Sequence, residues 1–156
     1  MLVLGIDPGL CDTGWALLSS ENYTQNSTWG SVRTSPKDDI EQRLAKLFTA
    51  LQKIFSTTKP DMVALENTLV GRGKADSLKL ASARSIVLLT AGLDKIPVKT
   101  HAPTHIKKAI TGNGQATKRQ IIFMVQQTLK TDARMNTHEA DAVAVALTQV
   151  YSKPSF

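Results

Sequence analysis

Three short apolar runs open the chain, separated by turn residues. LVLGID (2–7) and WALLSS (15–20) read as strands, with the Gly-rich turn DPGLCDTG between them. STWGSVRT (27–34) reads as a third strand, so the three can form a meander of hairpins. The apolar period then lengthens. Ile40, Leu44, Leu47, Phe48, Leu51, Ile54 and Phe55 fall on one face, which predicts a helix from about Pro36 to Thr57. Ser35 is its expected N-cap, with Pro36 at the first helical position. DMVALE (61–66) is a short buried strand, and ADSLKLASARSIVLLTAG (75–92) a helix that closes at Gly92. IPVKT (96–100) gives a fifth strand, and PTHIKKAI (103–110) a short helix begun by Pro103. After the loop TGNGQ, Thr117 and Gln120 make a capping box for a helix through about Lys130. A last helix starts in NTHEADAVAVALTQVY, where Asn136 and Glu139 complete a cap. Strands first, then alternating helices and strands, imply an α/β fold: a mixed five-stranded sheet with helices on both faces. With no repeat, linker or low-complexity tract, residues 1–156 read as a single domain.

Composition narrows the function. Hydrophobic residues make up 42% and charged residues 21% of 156, the balance of a globular protein. No apolar run is long enough for a membrane helix, and strand-like residues begin at Leu2 with no signal-peptide pattern before them. The lone Cys11 excludes an internal disulfide and fits a reducing, cytoplasmic setting. Lys and Arg number 19 against 13 Asp and Glu, a net charge of +6. The excess is concentrated. Between Lys95 and Thr131 there is no acid, while Lys95, Lys99, Lys107, Lys108, Lys118, Arg119 and Lys130 are all basic. Such a stretch is either a solvated lysine-rich surface or a face that attracts nucleic acid.

The acids mark the candidate chemistry. Asp7 ends the first strand and Glu66 the fourth, and ligand sites in sheets of this type lie at the carboxyl ends of strands. The two converge if those strands are neighbours. In the last helix His138 and Asp141 are three apart and share a face. Each has an ordinary reading: Asp7 as a turn cap, Glu66 as the partner of a basic residue, His138 as solvated, Asp141 as favouring the helix dipole. Together, at the ends of apolar elements in a basic protein, they point to a divalent metal, because a lone buried charge is costly.

These residues carry a resemblance. GIDPGLCDTGWALL, ALENTLVGRGKADSLKLASARS, TGNGQATKRQ and HEADAVAVAL, in that order, resemble the motifs of the RuvC family of Holliday-junction resolvases. The resemblance implies an RNase H-like fold and a homodimer. It implies an endonuclease that makes paired symmetric nicks in four-way DNA junctions with two Mg2+ or Mn2+ ions per active site. Asp7, Glu66, His138 and Asp141 would be the metal ligands and Lys118 a further catalytic residue. Lys107 and Lys118, with Leu69, Arg72 and Lys74, would contact DNA, and branch-migration proteins would be further partners. Leu69 stands where other members carry an aromatic residue, and leucine can wedge between bases but cannot stack. Two other functions stay open at this point: an RNase H-like nuclease of the ribosomal-RNA-processing type, and a junction-binding protein without catalysis. The complete acid set disfavours the second.

Overall fold

The computed structural model describes residues 1–67 and 74–152. Its elements are β1 (Leu2–Asp7), β2 (Asp12–Ser19), β3 (Ser27–Arg33), α1 (Ile40–Thr58), β4 (Met62–Glu66), α2 (Lys74–Leu93), β5 (Val98–His101), α3 (Pro103–Thr111), α4 (Lys118–Leu129) and α5 (Thr137–Tyr151). The sheet order is β3-β2-β1-β4-β5, with the meander antiparallel and β1, β4 and β5 parallel. Helices cover both faces: α3, α4 and α5 one, α1 and α2 the other.

Strand alternation sorts residues between the faces. Leu4, Ile6, Val63 and Leu65 pack with Leu47, Leu51 and Phe55 of α1 and Ala83, Val87 and Ala91 of α2. Val3, Ala16, Leu18 and Ala64 pack against α5. On that second face Gly5, Gly14, Ala16 and Ala64 leave room between Val3 and Leu18, and α5 lies almost on the backbone. A Cβ added at Gly5 would overlap the Ala142 carbonyl oxygen, and one at Gly14 the His138 carbonyl oxygen. Alanines on α5 complete the approach, and Ala142, Val143, Ala144, Val145, Ala146 and Leu147 are all buried.

Two element starts differ from expectation by three residues or more. Helix α1 begins at Ile40, after an extended Asp39, not at Pro36. The Ser35 hydroxyl accepts a bond from the Lys37 amide, so Ser35 and Pro36 shape a turn before the helix. Ile40 is 47% exposed, and the buried position one turn on belongs to Arg43. Strand β2 starts at Asp12, earlier than the predicted Trp15, because Asp12, Thr13 and Gly14 pair with Arg33, Val32 and Ser31 of β3. Both capping boxes form as expected, at Thr117 with Gln120 and at Asn136 with Glu139. No helix of the described residues is long and apolar enough to cross a membrane.

Candidate active site

The alternation that buries Val3 and Gly5 under α5 turns Asp7 to the same side, and the alternation that buries Ala64 turns Glu66 there too. Strands β1 and β4 are parallel neighbours with Ile6 opposite Leu65, so the next residues, Asp7 and Glu66, end side by side. Helix α5 enters over them. Its close seat on Gly14 sets the height of His138, and Asp141 follows one turn later. Lys107 of α3 and Lys118 of α4 complete the wall. All six side chains line one pocket of about 560 Å³, with Cys11 and Asp12 at the β1–β2 turn.

The pocket is electrostatically crowded. The His138 Nδ1 is 2.7 Å from Asp7 Oδ2, and Lys118 Nζ is 3.7 Å from Asp141 Oδ2. Burial, then the Asp7 charge, pushes the Asp141 carboxyl up to about 6, against the pull of Lys118 and His138. Burial, Asp7 and Asp141 raise Glu66, opposed by Lys107 and Lys118. The hydrogen bond to Asp7 raises His138 despite its burial. These carboxylates lack enough positive charge nearby. Among the described residues, no three His, Cys, Asp or Glu donors close on one point as they stand. Two carboxyls that resist ionisation, sharing a pocket with Asp7 and an imidazole, nevertheless suit a divalent cation, which would relieve the crowding.

The structure brings together Asp7, Glu66, Lys107, Lys118, His138 and Asp141. Lys107, on a separate helix from Lys118 as expected, lines the same pocket and opposes the rise of Glu66. Leu69 and Arg72 lie outside the described residues, and Lys74 begins α2. Four supporting residues were missed. Arg84 of α2 donates from Nη1 to the Glu66 carbonyl oxygen at 2.8 Å and fixes the end of β4. Arg43, only 7% exposed, donates to the Thr34 hydroxyl and to Cys11 Sγ. Thr34 in turn donates to the Leu10 carbonyl, so α1 clamps the turn that presents Asp7. Asp12 pairs with the exposed Arg33 through Oδ2, while its buried Oδ1 has no partner among the described residues. Its place beside Asp7 on the α5 side follows from the alternation of β2; the turn-like Asp-Thr-Gly hid it.

Residues 3–149 match the family described as Crossover junction endodeoxyribonuclease RuvC. The protein of that name from Ehrlichia chaffeensis is 37% identical over 156 residues, covering 100% of both chains. That from Rickettsia typhi is 38% identical and covers 98% of this chain and 99% of the relative. In three dimensions the chain is similar to Thermus thermophilus RuvC, solved in complex with a Holliday junction substrate. The TM-score is 0.88 at 28% identity, over 97% of this chain and 93% of that one.

Proposed function

The chain belongs to the RuvC family of crossover junction endodeoxyribonucleases and is a hydrolytic nuclease, and from that premise we propose that it resolves four-way DNA junctions by paired, symmetric nicks. It does so as one nuclease domain per protomer of a homodimer. The observation that carries this reading is the convergence of Asp7, Glu66, His138 and Asp141 from three elements into one pocket rimmed by lysines.

Those four residues would hold divalent magnesium or manganese, two ions per site. When bound, the ions would supply charge that activates water and stabilises the leaving oxygen of a phosphodiester. The protein's own groups do the rest. Asp7 holds the His138 ring through Nδ1. Arg84 and Arg43 steady the backbone that presents Glu66 and Asp7. Lys118, whose side chain is 70% exposed, can leave Asp141 for a phosphate oxygen when the strand enters, and Lys107 faces the same pocket.

Paired nicking needs two sites in two-fold relation. Helix α2 offers the surface. Leu78, Ser82, Ser85, Leu89 and Gly92 follow a four-three spacing, and Leu78, Leu89 and Leu93 are 70%, 51% and 59% exposed. Ser82 and Ser85 bond to the carbonyls of Leu78 and Ala81 on their own helix, so the stripe can meet an apolar partner without stranding a hydroxyl. The discriminating experiment cuts a synthetic four-way junction, duplex, flap and RNA–DNA hybrid side by side. Preference for the four-way junction is expected, and preference for the hybrid overturns the reading.

A further inference from the structure

Past Ile121, helix α4 leaves the acid pocket. Ile121, Val125 and Leu129 are buried, but Phe123 is 59% exposed. With Arg119, Gln120 and Met124 of α4, and Thr111 and Asn113 at the end of α3, it lines a second pocket of about 400 Å³. None of these residues is acidic, and the pocket lies within the acid-free stretch from Lys95 to Thr131.

The hydrogen bonds within the loop settle what this pocket offers. The Gln120 Oε1 accepts from the Thr117 amide, and Asn113 Oδ1 accepts from the Gln115 amide. Each amide side chain therefore has its oxygen committed and its NH2 left over. The Thr111 hydroxyl donates to the Lys107 carbonyl oxygen and accepts from the Asn113 amide. Arg119 has no ion-pair partner among the described residues. The side-chain groups left to a ligand are thus donors and a cation beside an exposed ring. That combination fits a chain of phosphates joined by apolar sugar faces.

We propose that this pocket is a second DNA subsite, which takes the sugar–phosphate backbone of one junction arm. The assignment rests on the four-way junction being the substrate. Arg119 and the two amide NH2 groups meet phosphate oxygens, and Phe123 with Met124 covers a deoxyribose. Phe123 lies five residues beyond Lys118, about 7.5 Å of helical rise. At about 3.4 Å per step along one strand, the contacted phosphates fall a few nucleotides from the cut.

The test is a scan of four-way junctions carrying one neutral methylphosphonate each, at successive positions along an arm, against wild type, Arg119→Ala, Phe123→Ala and Phe123→Trp. Arg119→Ala should weaken binding about fivefold and reduce the salt slope by about 0.9. At one or two positions a few nucleotides from the cut, the methylphosphonate should weaken wild type but not further weaken Arg119→Ala. Phe123→Ala should lose about fivefold with an unchanged salt slope, and Phe123→Trp should restore affinity. Both side chains are exposed, and circular dichroism checks that the variants fold. Additive effects at every position, or full junction affinity in Phe123→Ala, overturn the subsite. The latter would leave the ring to a protein partner. Wild-type cutting of the junction in the same preparations tests the parent reading separately.

Discussion

Helices α5 and α2 are the two apolar helices of the protein, one on each face of the sheet, and they spend that character differently. In α5 every residue from Ala142 to Thr148 is buried, on strands thinned to glycine and alanine. In α2, Ala83, Val87, Thr90 and Ala91 are buried while Leu78, Leu88, Leu89 and Leu93 remain outside. A helix buried nearly all round has one position available to it, which is what a site built from His138 and Asp141 requires. A helix with a spare apolar stripe has a surface to share. On the proposed reading the helix with no freedom would carry the chemistry, and the one with an unused face the symmetry.

The largest effect comes from the charge that α5 brings to the pocket. Asp141→Asn, like Asp7→Asn or Glu66→Gln, should reduce nicking by about a thousandfold or more, on the scale of losing a group that acts in the transition state. Junction affinity should fall little, because the basic surface supplies it. Gel-shift titration beside single-turnover cutting checks this. A large affinity loss in Asp7→Asn would make that acid structural.

Next is the seat of α5. Gly14→Val places a branched side chain against the His138 carbonyl, so helix or strand must shift. A loss of about 3 kcal/mol or more in denaturant unfolding is expected, with nicking lost even where the fold survives. The matching probe of α2 is Leu89→Glu. A charge at the centre of the stripe should turn a dimer into a monomer in sedimentation, with little change in Tm of the protomer. It should uncouple the two nicks of a junction. A wild-type protein that sediments as a monomer, both free and on the junction, would leave the stripe without its partner.

The strand ends were legible because an acid closing an apolar run is rare and local. So were the two capping boxes, which need only four residues of sequence. What was lost depends on partners far along the chain. Ser35 and Pro36 signal a helix start locally, but Thr34 is bonded to Leu10 and Cys11, and the turn this makes delays the helix to Ile40. Asp12 to Gly14 looks like a turn, yet Gly14 is required where α5 presses on β2. Arg43 occupies a position that periodicity would give to an apolar residue, since its partners are a threonine just past β3 and a cysteine in the β1–β2 turn. Arg84 reaches a backbone oxygen that no side-chain pattern announces.

A smaller effect exposes the strain in the acid pocket. The Asp141 carboxyl is raised from 3.8 to about 6, so the fold favours its neutral form. Its stabilising contribution is complete below 3.8 and is lost as pH rises through about 6. Asp141→Asn should therefore be more stable than wild type at about pH 8 without divalent ions, by up to about 3 kcal/mol, and the gap should close toward about pH 4. Magnesium or manganese should raise the Tm of wild type more than that of the variant. Equal stability across the range would show that the pocket carries no such repulsion.

The smallest effect is the metal preference and pH limb set by His138, the member of the set with a nitrogen donor. Ligation needs the neutral ring. The hydrogen bond to Asp7 favours the charged ring and raises His138 above its usual 6.5, so a proton competes with the ion at higher pH than for a free imidazole. The acid limb of the nicking profile should lie above about 6.5 at low metal and move to lower pH as metal is added. Imidazole also suits manganese better than magnesium. His138→Asp should keep activity, improve the magnesium rate relative to manganese, and remove the upper part of the limb. The part that remains should be that of Asp141, near about 6. His138→Ala should lose much of the rate with either ion. Nicking rates of the three proteins in each metal, from about pH 5.5 to 8.5, separate these outcomes. An unaltered metal preference in His138→Asp, together with a fully active His138→Ala, would leave this ring as a partner for Asp7 and no more.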